Sequence, residues 1–534
     1  GYSFGPNRFN SPVGTSNMEL ATDNAEGIDN PGIFGDAIAR GNMNSRAIQN
    51  TAFYQTDKDF YNTPYKNIRR VNTILAKLPT TPFSTSTMKR IEGEVRFLRA
   101  WYYHYLIIAF GGVPIVKDTV YGINDVPDLP RSNYKDCVEY IVSELDKSAS
   151  LLDGVVYVDA DFGRATKGAC LALKSRVLLY AASPLFNGGA LTTDAALIPL
   201  ISYPTADINL WKAAADAAEA VINLNIYALN ENNTIRPGYG FYDLFLKRIN
   251  TEYIFQYNRP TQKEFEAIYL PPSRSGSNVM RPTHNLAEAF PMRDGKPITE
   301  SPLYDPSNPY ANRDPRFDNS IIHNGMVYMS NNGTRTAVLT YQSAGSTIPN
   351  TSSDAYTPLN RFTGYFSRKM LDENLTNFGT PAGNTQRSWP LMRYAEILLN
   401  YAEAINETGE TDKAYSKIID LRKRAGILPG TDNQYGLKVN MSQTEMRELI
   451  RNERRIELAF EDQRWNDIRR WKILSTVFNG YNKVQIITRT GTNTYTYAVA
   501  NSTRLLNYNE NLHLLPIPLL EVAKMPKIIQ NPGW

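Results

Sequence analysis

The sequence contains very little cysteine and histidine, and these two shortages limit the chemistry that it supports. Of 534 residues, two are Cys and four are His. Cys137 and Cys170 lie among apolar residues in helix-like segments, which favours buried thiols over a disulfide framework or a metal site. The histidines are scattered, no HExxH, CxxC or GxSxG motif is present, and His104 on an aromatic helix is interpreted as a core residue. Catalysis therefore has no positive support in the sequence.

The sequence also lacks a long apolar run and an excess of one charge. The most apolar segment, which starts at Tyr102, is interrupted by His104 and two glycines, so no run of about 18 apolar residues is present. The 57 basic and 53 acidic residues leave a net charge of +4, which does not imply a nucleic-acid partner. The chain begins at Gly1 without a basic or apolar signal region, and we expect any targeting segment either to have been removed or to lie outside this sequence.

What the sequence does contain is helical periodicity, strongest over residues 63–227 and 388–472. Apolar residues there recur at spacings of three and four, and the segments end in Gly, Pro or Asn. We predict a mainly α fold. We expect the chain to divide into an N-terminal helical part (1–227), a loop-rich insert (228–387) and a C-terminal helical part (388–534), which together form one compact unit.

One predicted helical hairpin, Glu396–Gly426, is specific enough to name. Ala402 and Ala414 stand where two helices would touch, and Gly409 opens the turn between them. This pattern resembles a tetratricopeptide repeat, whose unit is about 34 residues long. Whether the alanine-rich pair around Ala172 and Ala217 forms a second, interrupted repeat is left open.

Strand signals are few and concentrated near the C-terminus. Residues 483–501 alternate on both sides of a Gly-Thr-Asn turn and predict one β-hairpin. The insert is rich in Pro, Gly, Asn, Ser, Tyr and Arg, which predicts ordered loops.

The segment Arg451–Trp471, "RNERRIELAFEDQRWNDIRRW", is both highly charged and aromatic. It is open to interpretation as a nucleic-acid helix, a catalytic carboxylate array or a structural helix. Its carboxylates and arginines are nearly balanced, and Asp467 lies three residues from both Arg464 and Arg470, a spacing at which ion pairs form. We interpret the segment as a structural charge network; its apolar positions are expected to be buried, namely Ile456, Phe460, Ile468 and Trp471.

Five ordered motifs also resemble those of a known family. They are "VRFLRAWYYHYLIIAFGGVPIV" from Val95, "GRATKGACLALKSRVLLYAASP" from Gly163, "WPLMRYAEILLNYAEAIN" from Trp389, the Arg451–Trp471 segment, and "LLPIPLLEVAKMPKIIQNPGW" from Leu514. Together they resemble the SusD/RagB family of nutrient-binding lipoproteins of the Bacteroidetes outer membrane. The resemblance implies tetratricopeptide-like hairpins, a lipid anchor at the cell surface, and a lid role over a SusC-like TonB-dependent transporter. Family members carry a lipid-modified Cys at the mature N-terminus, whereas this sequence begins at Gly1, so the anchor is implied by the resemblance alone.

The resemblance also suggests where a ligand would bind. Members usually bind oligosaccharides by stacking sugar rings on aromatic side chains, and the loop regions 53–62 and 265–281 approximate the places where they do so. The candidate ligand-binding residues are Tyr54, Asp57, Tyr269, Arg274 and Asn278. Two alternatives are that Tyr269 is a buried anchor for the "LPPS" turn and that the site is built wholly from residues 53–62.

Three functions are carried forward in order of preference. The first is capture of an oligosaccharide or polysaccharide, the second is peptide binding on the same scaffold, and the third is an enzyme acting on glycans. We expect no cofactor and no catalytic metal. A structural calcium ion is left open, because "DADFG" at Asp159 has the start of a calcium loop without its later Glu.

Overall fold

The protein is described from a computed structural model. The structure describes residues 17–27, 34–46, 60–122, 124–125, 127–261, 263–344, 354–355, 362–375 and 386–534. Among these residues, no helix combines the length and the apolar character that crossing a bilayer requires.

Helices dominate the described residues, as the periodicity predicts. The α-helices are α1 (Phe34–Ala39), α2 (Asn62–Lys77), α3 (Thr85–Phe110), α4 (Tyr134–Leu151), α5 (Lys167–Ala182), α6 (Ile198–Ile201), α7 (Ile208–Ile222), α8 (Tyr239–Asp243), α9 (Glu264–Tyr269), α10 (His284–Ala289), α11 (Pro315–Ser320), α12 (Tyr394–Glu407), α13 (Asp412–Ala425), α14 (Gln443–Glu457), α15 (Arg464–Arg470), α16 (Leu474–Val477) and α17 (Leu519–Lys524). Short 3₁₀ turns cover Met18–Ala21, Leu78–Thr80, Asp159–Asp161, Pro272–Arg274 and Glu510–His513. The predicted mainly α class is confirmed.

The long helices pack as an ordered array. Helix α2 packs on α3, α3 on α4, α4 on α5, α5 on α7, α7 on α12, and α12 on both α13 and α14. The array therefore continues from the N-terminal helical part into the C-terminal one across the insert. Side chains predicted to be buried lie in its core: Cys137, Cys170 and His104 are each at most 1% exposed.

The tetratricopeptide-like hairpin is present as α12 and α13. Ala402 and Ala414 are fully buried at the contact between the two helices. Gly409 has φ = 89° in the connecting turn, a left-handed conformation that favours glycine. The second pair, which the sequence left open, exists as α5 packed on α7, with the loop between them containing α6.

Strands lie mostly in the insert and near the C-terminus, with one in the N-terminal part. They are β1 (Ala25–Gly27), β2 (Tyr253–Thr261), β3 (Met280–Pro282), β4 (Ile321–Ile322), β5 (Val327–Met329), β6 (Arg335–Ala337), β7 (Gln342–Ser343), β8 (Phe366–Ser367), β9 (Gln386–Arg393), β10 (Asn479–Gly491) and β11 (Thr494–Asn507). Antiparallel pairs join β1 to β3, β2 to β9, β4 to β8 and β5 to β6. The predicted hairpin is β10–β11, longer than predicted, and β7 adds to it in parallel.

The segment Arg451–Trp471 spans two helices rather than one. Helix α14 ends at Glu457, and Phe460 and Asp462 have φ values of 64° and 67°, so the chain turns before α15 begins. The four apolar positions predicted to be buried are each at most 4% exposed. Helix α14 begins with a capping box between Ser442 and Glu445, which stabilises its first turn.

One of the two predicted ion pairs of this segment is present, and the other is wrong. Arg470 Nε lies 2.8 Å from Asp467 Oδ1, as predicted. Arg464 instead donates to both carboxylate oxygens of Asp23 at 2.9 Å, and Arg454 lies 2.8 Å from Asp467. Asp23 stands 441 residues earlier in the chain, so helical spacing does not reveal it as the partner.

Glu453 and Glu457 of α14, and Glu461 just after it, pair with cations from other parts of the chain. Glu453 pairs with Arg316 at 2.7 Å and with Arg422 at 3.0 Å. Arg393 lies 2.7 Å from both Glu457 and Glu461. These residues are at most 6% exposed, so their charges neutralise one another in buried ion pairs. The interpretation of the segment as a structural network is confirmed.

Candidate functional site

Two of the five predicted ligand-binding residues, Tyr54 and Asp57, lie outside the described residues. The other three lie in or just after α9. The proposal that the five residues together contact a ligand stays a prediction.

Tyr269 is part of a buried aromatic stack. Its side chain is 3% exposed, and its ring lies parallel to that of Phe265, with centroids 6.3 Å apart. Phe265 stacks in turn on Trp389 of β9 at 6.1 Å. This environment favours the alternative that Tyr269 anchors the turn that follows it.

Arg274 and Asn278 direct their polar groups into the protein. Arg274 is 4% exposed and donates to the carbonyl and hydroxyl oxygens of Thr336 at 2.7 and 2.8 Å, which ties the turn to the β5–β6 hairpin. Asn278 is 2% exposed and accepts two hydrogen bonds from Arg281 at 3.0 and 2.9 Å. In this conformation neither side chain presents its polar groups to solvent.

An open cleft lined with tyrosines lies where the predicted region 53–62 ends. It encloses about 320 Å³ between the start of α2, the loop after α3, and α17. We call it the tyrosine cleft; its lining includes Tyr61, Asn62, Tyr65, Arg69, Pro114, Val116, Tyr121, Asp125, Glu521, Lys524 and Met525. The volume lies within the range of small-molecule sites.

Local sequence determines how the first two tyrosines are placed. Tyr61 is the N-cap of α2, and Pro64 fits the first turn because no backbone N–H is needed there. Tyr65 follows Tyr61 by four residues, so the two rings lie on one face of the helix. Their centroids are 5.0 Å apart, at an interplanar angle of 48°.

The core holds both rings in place. Tyr61 contacts Phe110 edge to face, with centroids 5.4 Å apart, and Tyr65 contacts Tyr103 in the same way at 6.4 Å. The Tyr65 hydroxyl donates to the carbonyl oxygen of Pro114 at 2.8 Å. Burial raises the pKa of Tyr61 and of Tyr65, so both hydroxyls remain protonated at neutral pH. The apolar wall of the cleft is therefore preformed.

Polar groups surround this wall with balanced charge. Arg69 Nε donates to the carbonyl oxygen of Tyr121 at 3.0 Å and orients the opposite side. Lys524 pairs with Glu521 at 3.2 Å, and Asp125 accepts from the backbone of Gly122 at 2.6 Å. An aromatic wall with hydrogen-bonding groups at its edge suits a neutral, amphipathic ligand such as a sugar ring.

The described lining of the tyrosine cleft contains no His, Cys or Ser, and its two carboxylates are already engaged: Asp125 accepts from the backbone N–H of Gly122, and Glu521 pairs with Lys524. Elsewhere among the described residues, no three His, Cys, Asp or Glu side chains are grouped so as to hold a metal ion. The aromatic wall and its polar edge give the cleft the character of a binding site.

Sequence reasoning missed the described tyrosines of this cleft. Tyr61 lies inside the predicted region 53–62 but is not among the candidate residues, and Tyr65 and Tyr121 lie outside both predicted regions. A usable signal was the position of Tyr61 before the helix-starting Asn-Thr-Pro, with a second Tyr one turn later.

A helical-repeat scaffold that presents a preformed cleft is an architecture of binding proteins. The family model described as "SusD family" matches residues 245–534, which is more than half of the chain. A second model, "Starch-binding associating with outer membrane", matches residues 23–179. The chain belongs to the SusD family.

Individual relatives agree with this assignment. SusD-like protein P2 of Formosa agariphila is 35% identical over 162 residues, which span 29% of this chain and 28% of that protein. SusD-like protein P25 of the same organism is 23% identical over 98% of this chain and 88% of its own length.

Solved structures show the same fold. A SusD-like protein from Bacteroides fragilis is similar with a TM-score of 0.78 and 26% identity, covering 99% of this chain and 96% of that one. A SusD-like carbohydrate-binding protein from the same species has a TM-score of 0.70 and 25% identity, covering 96% and 92%. The predicted SusD-like fold is therefore confirmed.

Proposed function

We propose that this protein captures an oligosaccharide or polysaccharide at the surface of the outer membrane and delivers it to a SusC-like TonB-dependent transporter. The observation that carries the proposal is the tyrosine cleft, an aromatic wall with a balanced polar edge on a SusD-family scaffold. A SusD-like carbohydrate-binding protein with this fold, and a matching model for outer-membrane starch-binding proteins, support the ligand class and the location.

The proposed ligand contact is stacking of a sugar ring on Tyr65 or Tyr121, both half-buried in the cleft. The edge residues Arg69, Asn62 and Asp125 would bond its hydroxyls. Binding occurs without cleavage of the glycan. Attachment to the membrane is through an N-terminal lipid anchor, as the family resemblance implies.

The ligand class is tested by screening the pure protein on a glycan array beside a peptide pool. We expect saccharides to bind and to be recovered uncleaved. Selective binding of peptides would favour the peptide-binding alternative, and reproducible turnover of a glycan would show an enzyme.

The transporter partner is tested by purification from outer membranes in mild detergent, with a SusC-like neighbour expressed. We expect the two proteins to be recovered together. Recovery of this protein alone would count against delivery to the transporter and would leave glycan binding unaffected.

A further inference from the structure

A second cleft, lined with arginines, lies between α11, the β5–β6 hairpin and the residues that follow α13. It encloses about 710 Å³. We call it the arginine cleft; its charged lining consists, among the described residues, of Arg236, Arg293, Arg313, Arg335, Arg368, Asp318 and Glu373. These residues carry five guanidinium groups and two carboxylates, a formal excess of three positive charges, whereas the charged residues of the tyrosine cleft are balanced.

The carboxylate of Glu373 neutralises only part of this charge. It accepts from Arg236 at 2.8 and 3.1 Å and also pairs with Arg368. One anion is therefore shared by two cations. The side chain of Asp318 is 55% exposed and contacts His323 at 3.3 Å, and only its backbone carbonyl binds Arg368.

Arg313 carries a buried charge without an ion-pair partner among the described residues. It is 8% exposed, and it donates to the backbone carbonyls of Pro309 at 3.1 Å and Phe290 at 2.8 Å. Its guanidinium lies 4.6 Å from the ring centroid of Phe317. Burial lowers the pKa of Arg313, and the nearby carboxylates of Asp314 and Asp318 offset this only in part.

Two further arginines stand exposed at the edge of the cleft. Arg335 uses one donor on Asn374 at 2.7 Å. The guanidinium of Arg293 makes no side-chain hydrogen bond or ion pair with the part of the chain that the structure describes. Both side chains therefore have donors available to an incoming anion.

We propose that the arginine cleft binds the anionic group of an acidic saccharide, either the carboxylate of a uronic acid or a sulfate ester. The planar guanidinium fork matches both oxyanions, and charge-assisted hydrogen bonds are the stronger kind. The volume of about 710 Å³ is that of a typical small-molecule site. The inference that the anionic group belongs to a saccharide rests on the proposed function, whereas the inference of an anion site does not.

The test is calorimetry at low ionic strength with matched probe pairs: trigalacturonate against its methyl ester, and a sulfated galactan oligosaccharide against its desulfated form. We expect at least one acidic probe to bind about tenfold more tightly than its neutral partner. Arg293→Gln and Arg335→Gln should each weaken that acidic probe about five- to tenfold while sparing neutral saccharides. Arg70→Gln is the matched control, because Arg70 is exposed on α2, lines neither cleft and uses one donor on Asn67 at 2.8 Å; it should leave the acidic preference unchanged.

Equal binding within both probe pairs would overturn the proposal. A loss of acidic preference with Arg70→Gln as large as with Arg293→Gln would also overturn it.

Inorganic sulfate separates this failure from failure of the proposed function. Thermal stabilisation by sulfate over chloride at equal ionic strength, abolished in the Arg293→Gln/Arg335→Gln double variant, supports the anion site even if no saccharide binds. Tight binding of neutral glycans without any acidic or sulfate preference would remove the anion site and leave the proposed function standing.

Discussion

Replacing Arg393 with Met should destabilise the fold by about 3 kcal/mol without changing glycan affinity. Arg393 is 1% exposed and stands at the end of β9, where α12 begins. Its guanidinium lies 2.7 Å from a carboxylate oxygen of each of Glu252, Glu457 and Glu461. The substitution keeps an apolar stem of similar length, so the main effect is removal of the charge.

The magnitude follows from what the three carboxylates retain. Removing one partner of a buried ion pair typically costs about 3–5 kcal/mol, because a buried charge loses its compensation. Here Glu461 keeps Lys369 at 2.6 Å, Glu457 keeps Arg316 at 2.9 Å, and Glu252 keeps Arg424 at 3.0 Å. No carboxylate is left without a cation, which places the cost at the lower end of the range.

The assay is guanidinium unfolding followed by near-UV circular dichroism, with glycan affinity measured on the folded variant. Arg447→Met is the matched control, because Arg447 pairs with Glu407 at 2.6 Å but is 26% exposed. Exposed pairs contribute less than about 1 kcal/mol. A cost for Arg393→Met no larger than that of the control would refute the view that this charge network stabilises the fold.

Three further predictions concern pH, the α9 segment and metal removal. Burial opposes ionisation of Asp23, but attraction to Arg455 and Arg464 outweighs it and lowers the pKa from 3.8 to about 2. Ionised Asp23 therefore stabilises the fold above about pH 4. This contribution is lost as the pH falls towards 2. The melting-temperature deficit of Asp23→Asn should accordingly shrink between pH 4 and pH 2, and a constant deficit would contradict the assignment. Tyr269→Ala should cost about 3–5 kcal/mol of stability, since its ring is buried; an unchanged melt with weakened glycan affinity would instead establish the predicted platform role. EDTA should leave the melting temperature unchanged, because the described residues contain no metal-binding cluster; a large drop would show a structural metal, with calcium the first ion to test.

Local patterns predicted the helical scaffold well, because burial there follows a short-range period. The α12–α13 hairpin was predictable from Ala402, Gly409 and Ala414, which specify close contact and a left-handed turn within one segment. The β10–β11 hairpin was predictable for the same reason, since its alternation surrounds a single turn. In both cases the partners that must meet are near one another in sequence.

Contacts between distant segments were not predictable in this way. The partner of Arg464 is Asp23, and the partners of Arg393 include Glu252. The two residues of each pair are far apart in sequence, so no helical or strand spacing predicts that they meet. The burial of Tyr269 has the same cause, because Phe265 is local but Trp389 comes from β9. A Tyr in a turn-rich stretch has the same local sequence whether it faces solvent or the core.

The most direct test of the account is calorimetry of the Tyr65→Ala and Tyr121→Ala variants with the best saccharide from the array. Loss of a stacking platform should weaken binding by roughly ten- to a hundredfold, since such anchors contribute on the order of 1–3 kcal/mol. Tyr481→Ala is the matched control, because this tyrosine is 45% exposed on β10 and does not line the tyrosine cleft. A thermal melt of each variant verifies that it is folded. The account predicts weaker binding for at least one cleft variant with the control unchanged; full affinity in both cleft variants would contradict the assignment of this cleft as the saccharide site.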